Sequence, residues 1–265
     1  MFKLVKKDAK LMLRQHLGKI IILLYVQACA WLAFGFIFGA GTELFDISPP
    51  FPGIFTDTNF FGTLFLLALI VAAALMVLPP LWLGLRRWLI YAASDPNLPL
   101  WEGFYYFGTL RRYVTAVWYG LRSVLVHIGL ALAFFTPGCM LVFGCYRMYI
   151  RLNSDGLLFL AALGFMAGFC LLLVGLVGLI WFLQRYFLTA AYLCSGCSVH
   201  RAVKNSVRAM SSDKGACARL LVSYIPMFLS CVLIVPALYV IPHFLCAVSI
   251  FSKVLMLQNS QNITD

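Results

Sequence analysis

One stretch gathers metal- and redox-capable side chains at short spacing: Cys194-Ser-Gly-Cys197-Ser-Val-His200. Two thiolates and an imidazole could supply three zinc ligands, and a Cys-x-x-Cys pair could instead be redox-active. No second Cys/His pair lies close in sequence, however, and the chain carries nine cysteines, most of them in or near apolar runs. There cysteine behaves as a small hydrophobe. The stretch therefore reads as small residues at an interface, and no metal or other cofactor is expected. A second set of candidates is Gln27, Arg122, His127 and Gln184, polar groups within or at the ends of long apolar runs. Ionisable groups are costly inside a bilayer, so each is a functional candidate. Arg122 lies near enough to a span end to snorkel, and His127 can stay neutral with one hydrogen-bond partner. Together the four could line a polar path between helices.

Other chemistry is missing from the sequence. There is no phosphate-binding GxxxxGK[ST], no HExxH and no GxSxG nucleophile elbow. The nine acidic residues, from Asp8 to Asp265, all fall outside the expected spans. Proton-coupled carriers and intramembrane proteases usually need a carboxylate or a metal site at depth, so both are disfavoured.

The elements that must position these residues are membrane helices. Of 265 residues, 63% are hydrophobic and 11% charged, with a mean hydropathy of +0.95. A soluble domain has about a quarter of its residues charged. The net charge of +11 does not indicate nucleic acid, because the bases sit beside apolar runs, where the positive-inside bias accounts for them. The expected fold is all-α: one polytopic domain over residues 20–257, with six transmembrane helices.

Residues 1–19, rich in lysine, form a basic amphipathic lead-in suited to an anionic inner leaflet. A first span is expected over 20–41; this apolar run exceeds the roughly 7–15 residues of a signal-peptide core. An acidic, proline-rich outer loop follows, then a second span over 62–85 with a kink at Pro79–Pro80. An interfacial helix is expected near 98–112, where Trp101, Tyr105, Tyr106 and Phe107 would form part of an aromatic belt. Further spans are expected over 114–135 (ending at Pro137–Gly138), 157–183, 220–240 and 244–257, with a tight outer turn at Pro236 and Pro242. A short tail, 258–265, completes the chain. A disulfide between Cys139 and Cys145, near the expected outer face, is possible. Gly35/Gly39 and Gly164/Gly168 are small-xxx-small pairs that could let helices approach closely. In this layout 18 Lys/Arg fall on inner segments and two, Arg147 and Arg151, on an outer one. That asymmetry puts both termini inside.

Between the fourth and fifth spans, 184–215 reads QRYFLTAAYLCSGCSVHRAVKNSVRAMSSDKG. Ser198 is a natural N-cap. From there to Met210, Val199, Ala202, Val203, Ser206, Ala209 and Met210 fall on one side of a helix. His200, Arg201, Lys204, Asn205 and Arg208 fall on the other. Such a helix lies on a surface; it either packs on its own protein or turns Arg201, Lys204 and Arg208 to anionic inner-leaflet lipid.

The lead-in KKDAKLMLRQHLGK, the loop WEGFYYF, the border YFLTAAYL and the run SVHRAVKNSVRAM resemble a bacterial multi-pass membrane family catalogued as a domain of unknown function. The similarity touches most of the chain and is most specific at residues 186–210. Where relatives often have glycine two places after the methionine, this chain has Ser212. The resemblance implies a cytoplasmic-membrane location and carries over no reaction, substrate or catalytic residues. The leading expectation is a non-enzymatic inner-membrane protein serving envelope homeostasis, or acting as a scaffold or accessory subunit, with a membrane-protein partner or a second copy. A transporter or permease component is the alternative, and a lipid-active membrane enzyme comes third. A continuous polar cavity would favour transport, and a packed, dry bundle the scaffold.

Overall fold

The computed structural model describes residues 2–44, 60–151, 155–231 and 234–261. Among these, all regular structure is helical. The long helices are α1 (Phe2–Leu44), α2 (Phe60–Ala92), α3 (Leu110–Arg151) and α4 (Asp155–Leu183). Short α5 (Thr189–Cys194), α6 (Val199–Val222), short α7 (Ile225–Ser230) and α8 (Ile234–Gln261) follow, with 3-10 segments at Leu100–Phe107 and Gln184–Tyr186. Five stretches of the described residues are long and apolar enough to cross a membrane: 2–37, 67–92, 110–150, 159–194 and 236–259.

Several expected boundaries move. The lead-in and first span form one helix, α1, whose 43 residues extend about 65 Å, twice the roughly 30 Å of a bilayer core. Most of the loop expected over 42–61 lies outside the described residues. The third span does not stop at Pro137: α3 continues to Arg151. Close contact with α4 on both sides of Pro137 holds the helix through the residue that would otherwise break it. A Cβ at Gly175 would stand 2.6 Å from the Phe134 carbonyl oxygen, one at Gly138 2.7 Å from Leu172, and one at Gly168 2.6 Å from Val142. The Gly164/Gly168 pair is thus a contact face of the α3–α4 hairpin, whereas nothing stands within 4 Å of a Cβ at Gly35 or Gly39. Cys139 and Cys145 are both free, six residues apart on one continuous helix.

The stretch expected as a fifth span over 220–240 is not one helix. α6 ends at Val222 and α7 begins at Ile225 with Pro226 in its first turn. Proline has no N–H to continue the preceding ladder, and its ring disfavours the helical conformation in the residue before it. Nor do Pro236 and Pro242 make a turn: α8 starts at Ile234 and runs through both. Pro236 occupies its first turn, where a missing N–H has no intrahelical partner to lose.

Packing separates α8 from the other apolar helices. Two thirds of its apolar window (67%) is buried in the protein, against 11–28% for α1 to α4. The buried faces of α1 (Val5, Ala9, Met12, Leu13), the end of α2 (Trp88, Leu89) and α8 (Cys246, Phe251, Leu255) form one core. Trp88 Nε1 donates to the Pro99 carbonyl at 2.9 Å, and Lys19 Nζ to that of Leu98 at 2.8 Å, tying the Leu100–Phe107 segment to α1 and α2. The Phe2 and Phe251 rings lie 6.1 Å apart, and Asn259 Nδ2 reaches Asp213 at 3.5 Å. Both described ends of the chain therefore lie at the end of the molecule that carries the basic loops.

Candidate functional site

At that same end, α2, α3, the end of α4, the Gln184–Tyr186 turn, α5 and α6 line an open cavity of about 410 Å³, in which His127 is exposed. Trp82 and Arg86, one turn apart, come from α2. The stripe of Tyr119, Arg122, Ser123, Val126 and His127 comes from α3. α4 and the turn after it contribute Ile180, Leu183 and Gln184, and α5 begins with Thr189 at the wall. Val203 and Cys217 approach from α6. The crossing of α2 and α3 is set by Gly120, where any Cβ would collide with the Pro79 ring. Pro79 therefore acts as a packing surface, inside a helix that continues past it.

Three of the four polar residues expected to line a path, Arg122, His127 and Gln184, meet in this cavity. The fourth, Gln27, does not, because α1 contributes no side chain to the lining. Two further residues join them that the sequence reading did not single out for this role. Arg86 follows directly on the apolar part of α2 and so reads as a loop-bracketing charge, and Thr189 sits in the YFLTAAYL border. A helical wheel places Trp82 and Arg86 on one face, but nothing local says that α3 lies against that face.

The cavity is basic. Its lining holds two arginines and no carboxylate. Arg87–Glu102, at 3.8 Å, is the one ion pair among the described residues, and it lies outside the cavity. The Trp82 ring lies 5.6 Å from the Arg86 guanidinium carbon, and Tyr119 and Cys194 are close enough to interact with its charge. His127 Nδ1 donates to the Ser123 carbonyl at 2.6 Å within its own helix. Gln184 and Thr189 are buried, with 6% and 2% of their surface exposed. Gln184 Oε1 and Thr189 Oγ1 have no hydrogen-bond partner in the protein. Buried polar atoms are nearly always paired, so two unpaired ones on one wall are unusual. The Cys217 thiol, also on the wall, is pushed up to about 12 by burial.

The lining reaches no further than His127 on α3 and Ile180 on α4. Beyond those residues the two helices pack directly against each other through the glycine contacts at Gly138, Gly168 and Gly175. On α6, Ala202, Ser206, Ala209 and Met210 are buried. Arg201, Lys204 and Arg208 are exposed. Ser198 holds the N-cap backbone conformation, φ −66° and ψ 153°, but its hydroxyl makes no capping bond. Ser206 Oγ instead anchors the helix by donating to the Arg185 carbonyl at 2.8 Å.

The Cys194–Cys197 stretch is a helix end. Gly196 sits at φ 92°, in the left-handed region that favours glycine. Cys197 N–H donates to the Tyr192 carbonyl at 3.2 Å and Gly196 N–H to that of Leu193 at 3.0 Å, a Schellman turn closing α5. The turn separates the cysteines. Cys194 is buried with its Sγ 3.9 Å from Tyr106 Oη and from the Leu83 carbonyl, while Cys197 is half-exposed. His200 is exposed on α6. Among the described residues no three metal-ligating side chains stand together. Burial also pushes the Tyr106 phenol far above its usual range. No family model, curated protein or solved structure matches the chain.

Proposed function

We propose that this chain is a non-enzymatic protein of the bacterial cytoplasmic membrane, a scaffold or accessory subunit whose cavity is a receptor site on the inner face. The observation that carries the reading is the cavity's composition and shape together. It is basic, it has no carboxylate to act as acid or base, and along α3 and α4 it ends where the two helices pack together at the glycine contacts. A transport path would continue along that seam. In this reading α1 to α4 each cross once. The α6–α7–α8 hairpin, in place of the expected fifth and sixth spans, enters and leaves by one side, so both termini are cytoplasmic. Support comes from Phe2 beside Phe251, Asn259 beside Asp213 and the bias of Lys and Arg toward this end. The exposed Arg201, Lys204 and Arg208 then face headgroups or cytoplasm, and the Leu100–Phe107 segment and α6 lie at the interface.

The test is sided labelling. Ser123→Cys, in a background lacking the exposed native cysteines, should react with an impermeant maleimide in inside-out vesicles only. A reporter fused after Ser260 should report a cytoplasmic end. Labelling of Ser123→Cys from both faces would replace the receptor reading with the transport one.

A further inference from the structure

We propose that the cavity binds the phosphate of a headgroup that also carries a hydrogen-bond donor, a hydroxyl or an ammonium. The inference rests on the receptor reading above and names its ligand class. Arg86 and Arg122 reach the cavity from different helices, and neither has a carboxylate partner among the described residues. A guanidinium presents a planar fork of donors that matches a phosphate, and two forks from separate elements suit the several oxygens of a tetrahedral oxyanion. Uncompensated cations beside apolar walls are electrostatically costly, and an anion between them removes that cost.

The second observation is independent of charge. Gln184 and Thr189, both lining residues more than nine-tenths buried, carry side-chain oxygens, Oε1 and Oγ1, with no hydrogen-bond partner in the protein. A phosphate would satisfy the Thr189 hydroxyl as donor but could not satisfy Gln184 Oε1, which is an acceptor. The wall therefore asks for a ligand with an anionic end and a donating end. A phosphoglycerol or phosphoethanolamine group has that pattern, and inorganic phosphate at neutral pH meets it only in part. The remaining wall, including Val126, Ile180 and Leu221, is apolar and would receive the start of an acyl chain. The same headgroup chemistry could arrive on a membrane lipid or as a soluble phosphoester, and the experiment separates the two.

The full chain is placed in nanodiscs of phosphatidylcholine with 10% phosphatidylglycerol, and the lipid retained after gentle release is read by native mass spectrometry. Wild type should keep one phosphatidylglycerol. Arg122→Gln and Arg86→Gln should each reduce retention about tenfold to a hundredfold, the range for losing a charge-assisted hydrogen bond. Arg122→Lys, which keeps the charge, covers the case in which a glutamine variant fails to fold, and should fall between. Replacing Arg201, Lys204 and Arg208 together with Gln should leave retention unchanged, since that face points away from the cavity. Millimolar glycerol 1-phosphate that displaces the lipid would mark a soluble phosphoester as ligand; no displacement would mark the lipid. Inorganic phosphate should displace less well than glycerol 1-phosphate.

The proposal is overturned if Arg122→Gln or Arg122→Lys retains lipid like wild type. It is equally overturned if phosphatidylcholine alone is held as tightly, or if the surface triple variant accounts for the loss. One-sided labelling of Ser123→Cys combined with any of these results would sink the ligand assignment and leave the receptor reading standing. Two-sided labelling would sink the receptor reading itself.

Discussion

Replacing Arg87 should loosen the joint between α2, the Leu100–Phe107 segment and the end of α5. Its guanidinium lies 3.5 Å from the centre of the Tyr105 ring and 4.7 Å from that of Tyr91. Nη1 donates to the Cys194 carbonyl at 3.0 Å, and Nε stands 3.8 Å from a Glu102 oxygen. The hydrogen bond from a charged donor contributes about 1.5–3 kcal/mol, less where water competes. The stacked cation contributes about 0.5–2 kcal/mol, depending on how far it is desolvated. The side chains are 17% and 37% exposed, so the Glu102 pair falls nearer surface ion pairs, about 0–1 kcal/mol. Arg87→Met should therefore cost about 2–4 kcal/mol, or about 5–10 °C in melting temperature for a chain of this size. Arg87→Lys should lose about half of that, keeping the charge but not the fork. Glu102→Gln should lose less than about 1 kcal/mol. Melting in detergent, followed by the monodisperse fraction after heating, reads all three. If Glu102→Gln falls as far as Arg87→Met, the ion pair holds the joint and the weight placed on stacking and the Cys194 carbonyl is wrong. An unshifted Arg87→Met would refute the joint altogether.

Gly196→Ala should destabilise the α5–α6 connection by about 1–2 kcal/mol, because φ 92° is unfavourable for any residue with a Cβ. Faster proteolysis between Cys194 and Ser198 in inside-out vesicles would report it, and a wild-type rate would argue against the Schellman turn. Cys217 should resist alkylation in the folded protein while reacting after denaturation, since its thiol sits at about 12 in place of the usual 9. A raised folded-state value favours the protonated thiol in the native chain. The stability it contributes is present below about pH 9 and is lost as pH rises toward 12, as the unfolded thiol ionises first. Cys217→Ala should flatten that part of the stability profile; an unchanged slope would show that other groups set it.

Much of the architecture follows from the order of residues alone. Apolar runs of about 20 residues dictate helices that suit lipid, because transfer free energies add residue by residue along a run. From Val199 to Met210 the alternation in the sequence runs with the burial, Ala202, Ser206 and Met210 buried and Arg201, Lys204 and Arg208 exposed, because 3.6-residue periodicity is a property of one helix. Proline was harder to read. Pro137 and Pro242 look like breaks but lie within helices, and Pro226 ends one. Whether a freed carbonyl is tolerated depends on neighbours the local sequence does not contain. The Cys194-x-x-Cys197 spacing resembles a ligand pair, yet the left-handed Gly196 between the thiols turns them apart.

Arg122, His127 and Gln184 were each visible as polar groups in apolar surroundings. That they share one cavity, that Gln27 does not, and that Arg86 and Thr189 do, was decided only in three dimensions. Side chains 36 to 103 positions apart meet because helix register is set elsewhere, by Pro79 seated on Gly120 and by the Phe134 carbonyl against Gly175. A shift of one residue at either contact would turn each helix by about 100° and carry the polar groups off the shared wall.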